Sequence, residues 1–506
     1  MRFSRTAVWA GGVSALAIAA RALPGPRTID DAFITFRYAR HWVEGAGLVY
    51  NPGEAVLGTT TPLYSLLLAA MARFFGSGAA DFPALAWAVN ALADGATCLL
   101  LIALGRRLGM AGAGAAAALV WAVAPMAVTF SIGGMETSVF IALMTATFYL
   151  HSLDRPAAAA LTGSLTLLTR PDALIFLLPL AADRLRRASR LRRKDEVDCP
   201  IRWGQAAAFV IPVLLWVGYA VPVYGSPIPH SITAKVAAYH LPPEAGLVRL
   251  IQHYATPFFE HEILGTGAVA ILGLWALHSV LFGLGALTAI RRMPSSWPIF
   301  AYPWLYFVAF AGANPLIFRW YLVPPLPIYF LGIFAGVARL ARDLRLRPLP
   351  LVFAAAAAAS SLRAWTLHPD HGPDRPAPEM AFIRLELLYE DVARRLGPQI
   401  GPGQVLAAGD IGALGYYSRA RMLDTIGLIT PASVLYYPLP DSMYVINYAI
   451  PPRLVQDLRP DYLVILESYG RKGLLQEGWF ARDYRLLELV PTDLYESNGL
   501  LVYARA

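Results

Sequence analysis

Long apolar segments, each bounded by charged residues, recur along the first 365 residues of the chain. A segment of about 20 apolar residues is long enough to cross a bilayer as a helix. Segments 156–169 and 173–182 are shorter, so they form either two half-helices that meet at Arg170 or one bent span. The pattern predicts about eleven crossings, at 6–22, 82–104, 109–130, 137–151, 156–169, 173–182, 205–222, 263–290, 297–313, 320–340 and 349–365.

The positive charges between these segments predict their orientation. Cytoplasmic loops of membrane proteins carry an excess of lysine and arginine. The clusters at 106–107, 184–194, 291–292 and 342–347 fall on one side only if segment 61–75 lies on the outer membrane face without crossing. This scheme predicts a cytoplasmic N-terminus and an external C-terminus. The first 25 residues also resemble a secretory signal peptide, and in both interpretations residue 30 lies outside.

The composition excludes several classes of protein. The chain has 506 residues, of which 57% are hydrophobic and only 15% charged, and its mean hydropathy is +0.49. A soluble protein has about 25% charged residues. The numbers argue against a cytosolic enzyme, a disordered protein and a nucleic-acid binder. The net charge of +8 is explained by the arginine-rich loops, so the lipid bilayer is the predicted partner and nucleic acid is not.

The pattern changes after residue 365. Residues 366–379 form a linker rich in proline and aspartate, and 380–506 mix polar and apolar positions. Runs typical of strands occur at 405–408 and 462–465, and helical patterns at 380–396 and 451–458. We predict a transmembrane domain over 1–365, with a first outer loop at 23–81, and a small external α/β domain over 380–506.

Two adjacent carboxylates, Asp30 and Asp31, follow the first predicted membrane helix. Residues 31–44 are amphipathic at helical spacing, with Arg37 on the charged face. One interpretation is an interfacial helix whose acidic pair caps its own N-terminus. The other is a general base at the membrane surface with an arginine near a lipid phosphate. The two are compatible, because capping needs only one carboxylate.

The stretch DDAFITFRYARHWVEGAGLVYNPGE, residues 30–54, resembles the GT-C glycosyltransferase superfamily. Its amino-acid sequence is similar to that of the bacterial group that includes the mycobacterial terminal arabinofuranosyltransferase. Segments 134–137, 169–172, 224–235, 319–324 and 409–417 resemble the same group in the same order. The resemblance therefore extends along nearly the whole chain.

This resemblance implies an inverting enzyme of the bacterial inner membrane. It would move a monosaccharide, arabinofuranose or mannose, from a polyprenyl-phosphate donor to an envelope glycan or glycolipid acceptor on the extracytoplasmic side. Asp30 becomes the candidate general base and Asp31 the second candidate. The donor-phosphate candidates are Arg37, Arg170, Lys235 and Arg319, and the acceptor or sugar candidates are Glu136, Asp172, His230, Tyr416 and Tyr417.

Each candidate also has a structural alternative: an ion pair for Arg170, a solvated loop for His230 and Lys235, and turns for Asp410 and Asp424. A divalent cation is possible but not indicated, because the acidic pair is adjacent and not spaced as DxD. Cys98 and Cys199 show no metal-binding spacing. The rival functions are a lipid-linked sugar transporter or flippase, and a structural membrane protein.

Overall fold

The computed structural model describes residues 5–76, 81–193, 203–259, 267–370 and 374–506. Lys194 and Cys199 lie outside these ranges. Within them, the α-helices are α1 (Arg5–Ala22), α2 (Asp30–Val43), α3 (Pro62–Phe75), α4 (Phe82–Arg107), α5 (Ala111–Val123), α6 (Pro125–Ile132), α7 (Thr137–Ser152), α8 (Pro156–Thr169), α9 (Leu174–Arg193), α10 (Trp203–Tyr224), α11 (His230–Ala238), α12 (Ala245–Ala255), α13 (Ala268–Arg292), α14 (Trp297–Ala313), α15 (Leu326–Asp343), α16 (Leu349–Arg363), α17 (Arg384–Leu396), α18 (Gly412–Ser418), α19 (Pro452–Leu458), α20 (Glu467–Gly470) and α21 (Gly478–Asp483).

The described strands are β1 (Trp365–His368), β2 (Arg375–Pro378), β3 (Val405–Ala408), β4 (Arg421–Asp424), β5 (Tyr462–Leu466), β6 (Tyr484–Val490) and β7 (Leu500–Arg505). The first two pair as an antiparallel ribbon. The other five form one mixed sheet in the order β4-β3-β5-β7-β6. The predicted α/β fold of the C-terminal part is confirmed, including the runs that became β3 and β5.

The helices confirm the predicted polytopic membrane fold. Each of the eleven predicted apolar segments contains at least one helix. In the described part of the chain, four helices are long and apolar enough to cross a membrane alone: α4, α10, α13, and α15 with the short turn at 319–322 before it. The apolar helices α1, α7, α8 and α16 are shorter.

Prolines and extended residues break two of the predicted spans. Segment 109–130 divides into α5 and α6, which are bent by 52°. Pro125 disfavours a helical conformation at the preceding residue, and Ala124 has ψ 126°. Segment 156–182 forms two helices, because Arg170 is extended (φ −154°, ψ 134°) and Pro171 follows. The sequence correctly placed Arg170 at a helix break.

The chain divides into two compact units. The helical unit comprises Met1–Arg27, Ala86–Trp216 and Pro243–Phe382, and the sheet unit comprises Thr28–Leu85, Val217–Pro242 and Ile383–Ala506. In the helical unit, α13 packs closely against α15 through glycines. A Cβ on Gly285 would overlap the carbonyl oxygen of Gly332, and a Cβ on Gly336 would overlap that of Leu281. The backbones of the two helices therefore approach one another as only small residues allow.

The sheet unit is built around β3, β5 and β7. Strand β3 is parallel to both β4 and β5, while β7 pairs antiparallel with β5 and β6. The core is apolar: Leu463, Val464, Ile465 and Leu466 are at most 1% exposed. Helix α2 belongs to this unit and buries nine of its residues, including Arg37. Arg37 on the charged face is therefore covered, whereas Arg40 is half-buried and Glu44, just after the helix, is exposed. That α2 lies at a membrane interface stays a prediction.

We predict that Gly285→Ala destabilises the protein and that Gly283→Ala, two residues earlier on α13, does not. The added methyl at position 285 has no space, and overpacking costs about 1–3 kcal/mol. Nothing lies within 4 Å of a Cβ at position 283. Thermal unfolding of the two purified variants in detergent checks this. Equal unfolding midpoints would contradict the close approach of α13 and α15.

Candidate active site

Asp30 caps a helix that begins 382 residues further along the chain. Its Oδ2 accepts a hydrogen bond from the backbone N–H of Gly412 (2.9 Å), and its Oδ1 accepts one from Ala413 (2.8 Å). These amides begin α18, whose N-terminal N–H groups have no partner inside the helix. The N-cap of α2 itself is Ile29, and no side chain caps it. The expectation that the acidic pair caps its own helix is therefore wrong.

Asp31 points to a different partner. Its Oδ2 lies 3.1 Å from Nζ of Lys235, which α11 carries. Both side chains remain partly accessible, with exposed fractions of 27% for Asp31 and 22% for Lys235. This accessible ion pair differs from Asp30, whose two oxygens are both bound to backbone amides.

Two further carboxyl groups lie in the same unit and interact with the acidic pair. Oδ2 of Asp410 accepts hydrogen bonds from the hydroxyls of Tyr389 (2.6 Å) and Tyr469 (3.0 Å). Oε1 of Glu386 accepts one from the backbone N–H of Asp30 (3.3 Å). Asp410 follows the carboxyl end of β3, the edge where α/β sheets commonly bind ligands.

The carboxyl groups of Asp30, Asp410 and Glu386 have raised pKa values. Burial raises the pKa of Asp30 well above its usual value, and the negative charge of Asp410 adds to this effect. Burial also raises the pKa of Asp410, with a further contribution from Asp31. Burial raises the pKa of Glu386 to about 7. Clusters of perturbed carboxyl groups are common at functional sites.

Aromatic rings border this cluster. The ring of Tyr448 lies 5.9 Å from that of Tyr239 and 4.9 Å from that of Tyr469, between centroids. The negative charges of Asp410 and Asp31 contribute to a raised pKa of Tyr239, after burial. Aromatic faces beside carboxylates suit the apolar and hydroxyl surfaces of a sugar.

The predicted sugar contacts Tyr416 and Tyr417 have structural partners. Both rings pack on Phe33, at centroid distances of 5.1 and 5.3 Å. The guanidinium of Arg40 lies 3.6 Å from the centre of the Tyr416 ring, which is only 8% exposed. Tyr416 contributes to the core between α2 and α18, and Tyr417 is half-buried beside it.

Arg37 is also a structural residue. It is 1% exposed, and its guanidinium donates hydrogen bonds to the carbonyl oxygens of Tyr50 (2.8 Å), Ala420 (2.6 Å) and Gly415. These N–H donors are already bound to backbone carbonyls inside the core, so they are not available to a phosphate. The structure therefore gives Arg37 a role different from the predicted phosphate contact.

Two other predicted residues of the sheet unit have local roles. His230 begins α11, and burial lowers its pKa. Its backbone N–H donates to the carbonyl of Leu57 (2.8 Å). Asp424 accepts hydrogen bonds from the amides of Ile426 (2.8 Å) and Ile429 (3.1 Å), as the predicted turn residue would.

Arg170, Glu136 and Asp172 meet in the helical unit. Nε and Nη2 of Arg170 each lie 3.0 Å from one oxygen of Asp172, and Nη1 lies 3.3 Å from Oε1 of Glu136. Arg170 and Glu136 are 2% and 4% exposed. One guanidinium thus faces two carboxylates, so its hydrogen-bond donors are already engaged and are not available to a phosphate. Arg170 thus forms the ion pair that the sequence analysis gave as the alternative to a phosphate contact.

Arg319 lines a cavity in the same helical unit. Arg249 and His253 of α12 line it too, beside apolar residues such as Met126 and Leu326. His253 is 7% exposed, and among the described residues its Nε2 has no hydrogen-bond partner. Two guanidinium groups and an imidazole around one cavity form a suitable environment for an anion. Sequence reasoning found only Arg319, because Arg249 and His253 lie in no motif.

Possible metal ligands do not gather in the parts of the chain that the structure describes. No group of three or more His, Cys, Asp or Glu side chains there is arranged to hold a metal ion. The carboxyl groups near Asp30 instead bind amides, hydroxyls and Lys235.

The fold is similar to that of two solved structures. ArnT from Cupriavidus metallidurans, crystallised with undecaprenyl phosphate, matches with a TM-score of 0.59 and 12% sequence identity, over 99% of this chain and 97% of its own. The oligosaccharyltransferase of Archaeoglobus fulgidus, tethered to an acceptor peptide, matches with a TM-score of 0.56 and 13% identity, over 98% of this chain and 74% of its own.

Sequence comparisons add less. Residues 381–503 match a family model described as a domain of unknown function, DUF8728. No curated protein matches the chain significantly.

We predict that Glu386→Gln flattens the pH dependence of thermal stability. Below about pH 4.5 the carboxyl is neutral in the folded and the unfolded chain. As the pH rises towards 7, the unfolded chain ionises it readily but the folded site resists, so stability is lost. Glutamine stays neutral and keeps an oxygen for the amide of Asp30.

The measurement is the unfolding midpoint of both proteins between pH 5 and pH 8. Wild type should lose several degrees more than the variant over this range, because a pKa raised from 4.5 to about 7 corresponds to about 3 kcal/mol. Parallel curves would show that Glu386 does not have the raised pKa.

Proposed function

We propose that this chain is a polyprenyl-phosphate-dependent glycosyltransferase of the bacterial inner membrane. It transfers a monosaccharide, arabinofuranose or mannose, to an envelope glycan or glycolipid outside the cytoplasm. The fold shared with two membrane glycosyltransferases supports the reaction class. The observation that carries the proposal is the accessible Asp31–Lys235 pair within this fold, beside tyrosines and further carboxyl groups.

In this mechanism Asp31, and not Asp30, is the general base. Both oxygens of Asp30 accept backbone hydrogen bonds, which tie them to α18. Asp31 retains an accessible carboxylate, which takes the proton of the acceptor hydroxyl as its oxygen attacks the anomeric carbon. The bond between that carbon and the phosphate oxygen breaks, and polyprenyl phosphate leaves. Attack from the opposite side inverts the configuration.

The leaving phosphate gains negative charge and needs a cation. In this proposal Lys235 balances this charge and orients Asp31, with which it forms an ion pair. Arg319, with Arg249 and His253, supplies the other anion environment among the predicted phosphate residues. We propose that Lys235 acts on the reacting phosphate. The Arg319 cavity of the helical unit is a separate candidate for binding an anionic group of a substrate.

Substitution of the two aspartates separates their roles. Asp31→Asn should lower kcat by about 100-fold to 10,000-fold, the usual contribution of a general base, with an unchanged unfolding midpoint. Asp30→Asn should lower the unfolding midpoint, because an amide cannot accept both N–H groups of α18, while kcat stays within about tenfold. The assay follows labelled sugar from synthetic polyprenyl-phosphate arabinofuranose and mannose into envelope extract.

The reverse pattern, with loss of transfer only in Asp30→Asn at normal stability, would make Asp30 the base. If neither change affects transfer, the acidic pair is not the reaction centre. If the protein moves the lipid-linked sugar across vesicles without transferring it, the transporter interpretation replaces the enzyme.

We predict a binding effect for Arg319→Gln. Loss of a charge-assisted hydrogen bond costs about 1.5–3 kcal/mol, so KM for the donor should rise about 10-fold or more while kcat changes little. Arg384→Gln, an exposed arginine in an ion pair with Asp493, is the control and should leave KM unchanged. If the donor KM of Arg319→Gln is no higher than that of Arg384→Gln, the cavity does not take part in donor binding.

A further inference from the structure

A large groove opens in the helical unit and shares no lining residue with the Arg319 cavity. It has a volume of about 960 Å³, at the upper end of the range for ligand pockets. Its walls come from α1, from α5 and the turn before it, and from α13, α15 and α16. The groove therefore lies among helices of the membrane fold.

The floor of the groove is apolar and smooth. The Ala-rich first half of α5 contributes small side chains, Ala115 and Ala116 among them, and Phe334 and Leu119 lie beside them. Trp9 and Leu351 line it with exposed fractions of 42% and 76%. Small residues next to large apolar ones make a concave surface that suits an acyl chain.

Four arginines line the same groove: Arg292, Arg342, Arg345 and Arg347. Within the described part of the chain, none of them forms an ion pair. The neighbouring carboxylate of Asp343 is already 2.7 Å from Nε of Arg339. The groove thus combines an apolar floor with about four uncompensated positive charges.

The backbone at one of these arginines is unusual. Arg345 has φ +58° and follows the last residues of α15, where glycine is the common residue because it adopts this conformation without strain. The chain has an arginine there and bears the conformational cost.

We propose that this groove binds an anionic membrane phospholipid, with acyl chains on the apolar floor and the headgroup phosphate on the arginines. A soluble anion would leave the apolar floor unused, and an uncharged lipid would leave the arginines without a partner. Basic pockets between membrane helices are suited to anionic headgroups. The site is distinct from the acidic cluster and does not depend on sugar transfer.

The test compares phosphatidylglycerol with phosphatidylcholine on the full-length protein in detergent. For wild type, phosphatidylglycerol should raise the unfolding midpoint by several degrees more than phosphatidylcholine, because a ligand that binds only the folded state stabilises it. Native mass spectrometry should show retained phosphatidylglycerol. The triple variant Arg342→Gln/Arg345→Gln/Arg347→Gln should lose at least half of the difference.

Two controls make the result specific. The triple variant Arg106→Gln/Arg155→Gln/Arg291→Gln removes the same charge from exposed arginines that do not line the groove, and it should behave as wild type. Ala116→Phe keeps all arginines but fills the floor, and it should also weaken the preference. Equal midpoints of all variants in phosphatidylcholine show that they are folded.

The proposal is overturned if the two triple variants behave alike, or if Ala116→Phe has no effect, since binding would then be a general effect of surface charge. It is also overturned if both lipids stabilise wild type equally. Retention of added undecaprenyl phosphate in preference to phosphatidylglycerol would make the groove a carrier-lipid site instead.

Discussion

The arrangement of the acidic site depends on the bond between the Asp30 carboxylate and the first amides of α18. This contact joins residues 382 and 383 positions apart and fixes the rotation of α2 within the sheet unit. Successive residues of a helix point about 100° apart. Once Asp30 faces α18, Asp31 must point elsewhere, and in this structure it points to Lys235. The different roles of two adjacent identical residues therefore follow from helix geometry.

The concentration of carboxyl groups has an energetic consequence. Desolvation and mutual repulsion raise the pKa values of Asp30, Asp410 and Glu386, so keeping these groups ionised costs folding free energy. Backbone amides and the hydroxyls of two tyrosines offset part of this cost. A core that served stability alone would be better filled with apolar side chains. The cluster is easier to explain as a site that exchanges protons or holds hydroxyl groups.

The sequence predicted the features that depend on local pattern. Apolar length located the helices, Arg170-Pro171 marked a helix break, and short strand-like runs located β3 and β5. The failures concern long-range contacts. The charged face of α2 seemed suited to water, but the carbonyls of Gly415 and Ala420 cover Arg37. Glu386, Tyr389 and Tyr469 were missed because each acquires its role from a partner remote in sequence, which periodicity cannot reveal.

The same limitation applies to the choice of phosphate-binding arginines, and the structure allows a physical criterion. A guanidinium has five N–H donors in a fixed plane, and donors already bound to carbonyls or carboxylates are not available to a ligand. Arg37 uses its donors on carbonyls, and Arg170 shares its charge between two carboxylates. Arg319 instead lines an open cavity. Because a buried cation is stable only when it is compensated, the best-buried arginines of this chain are the least suited to bind a substrate.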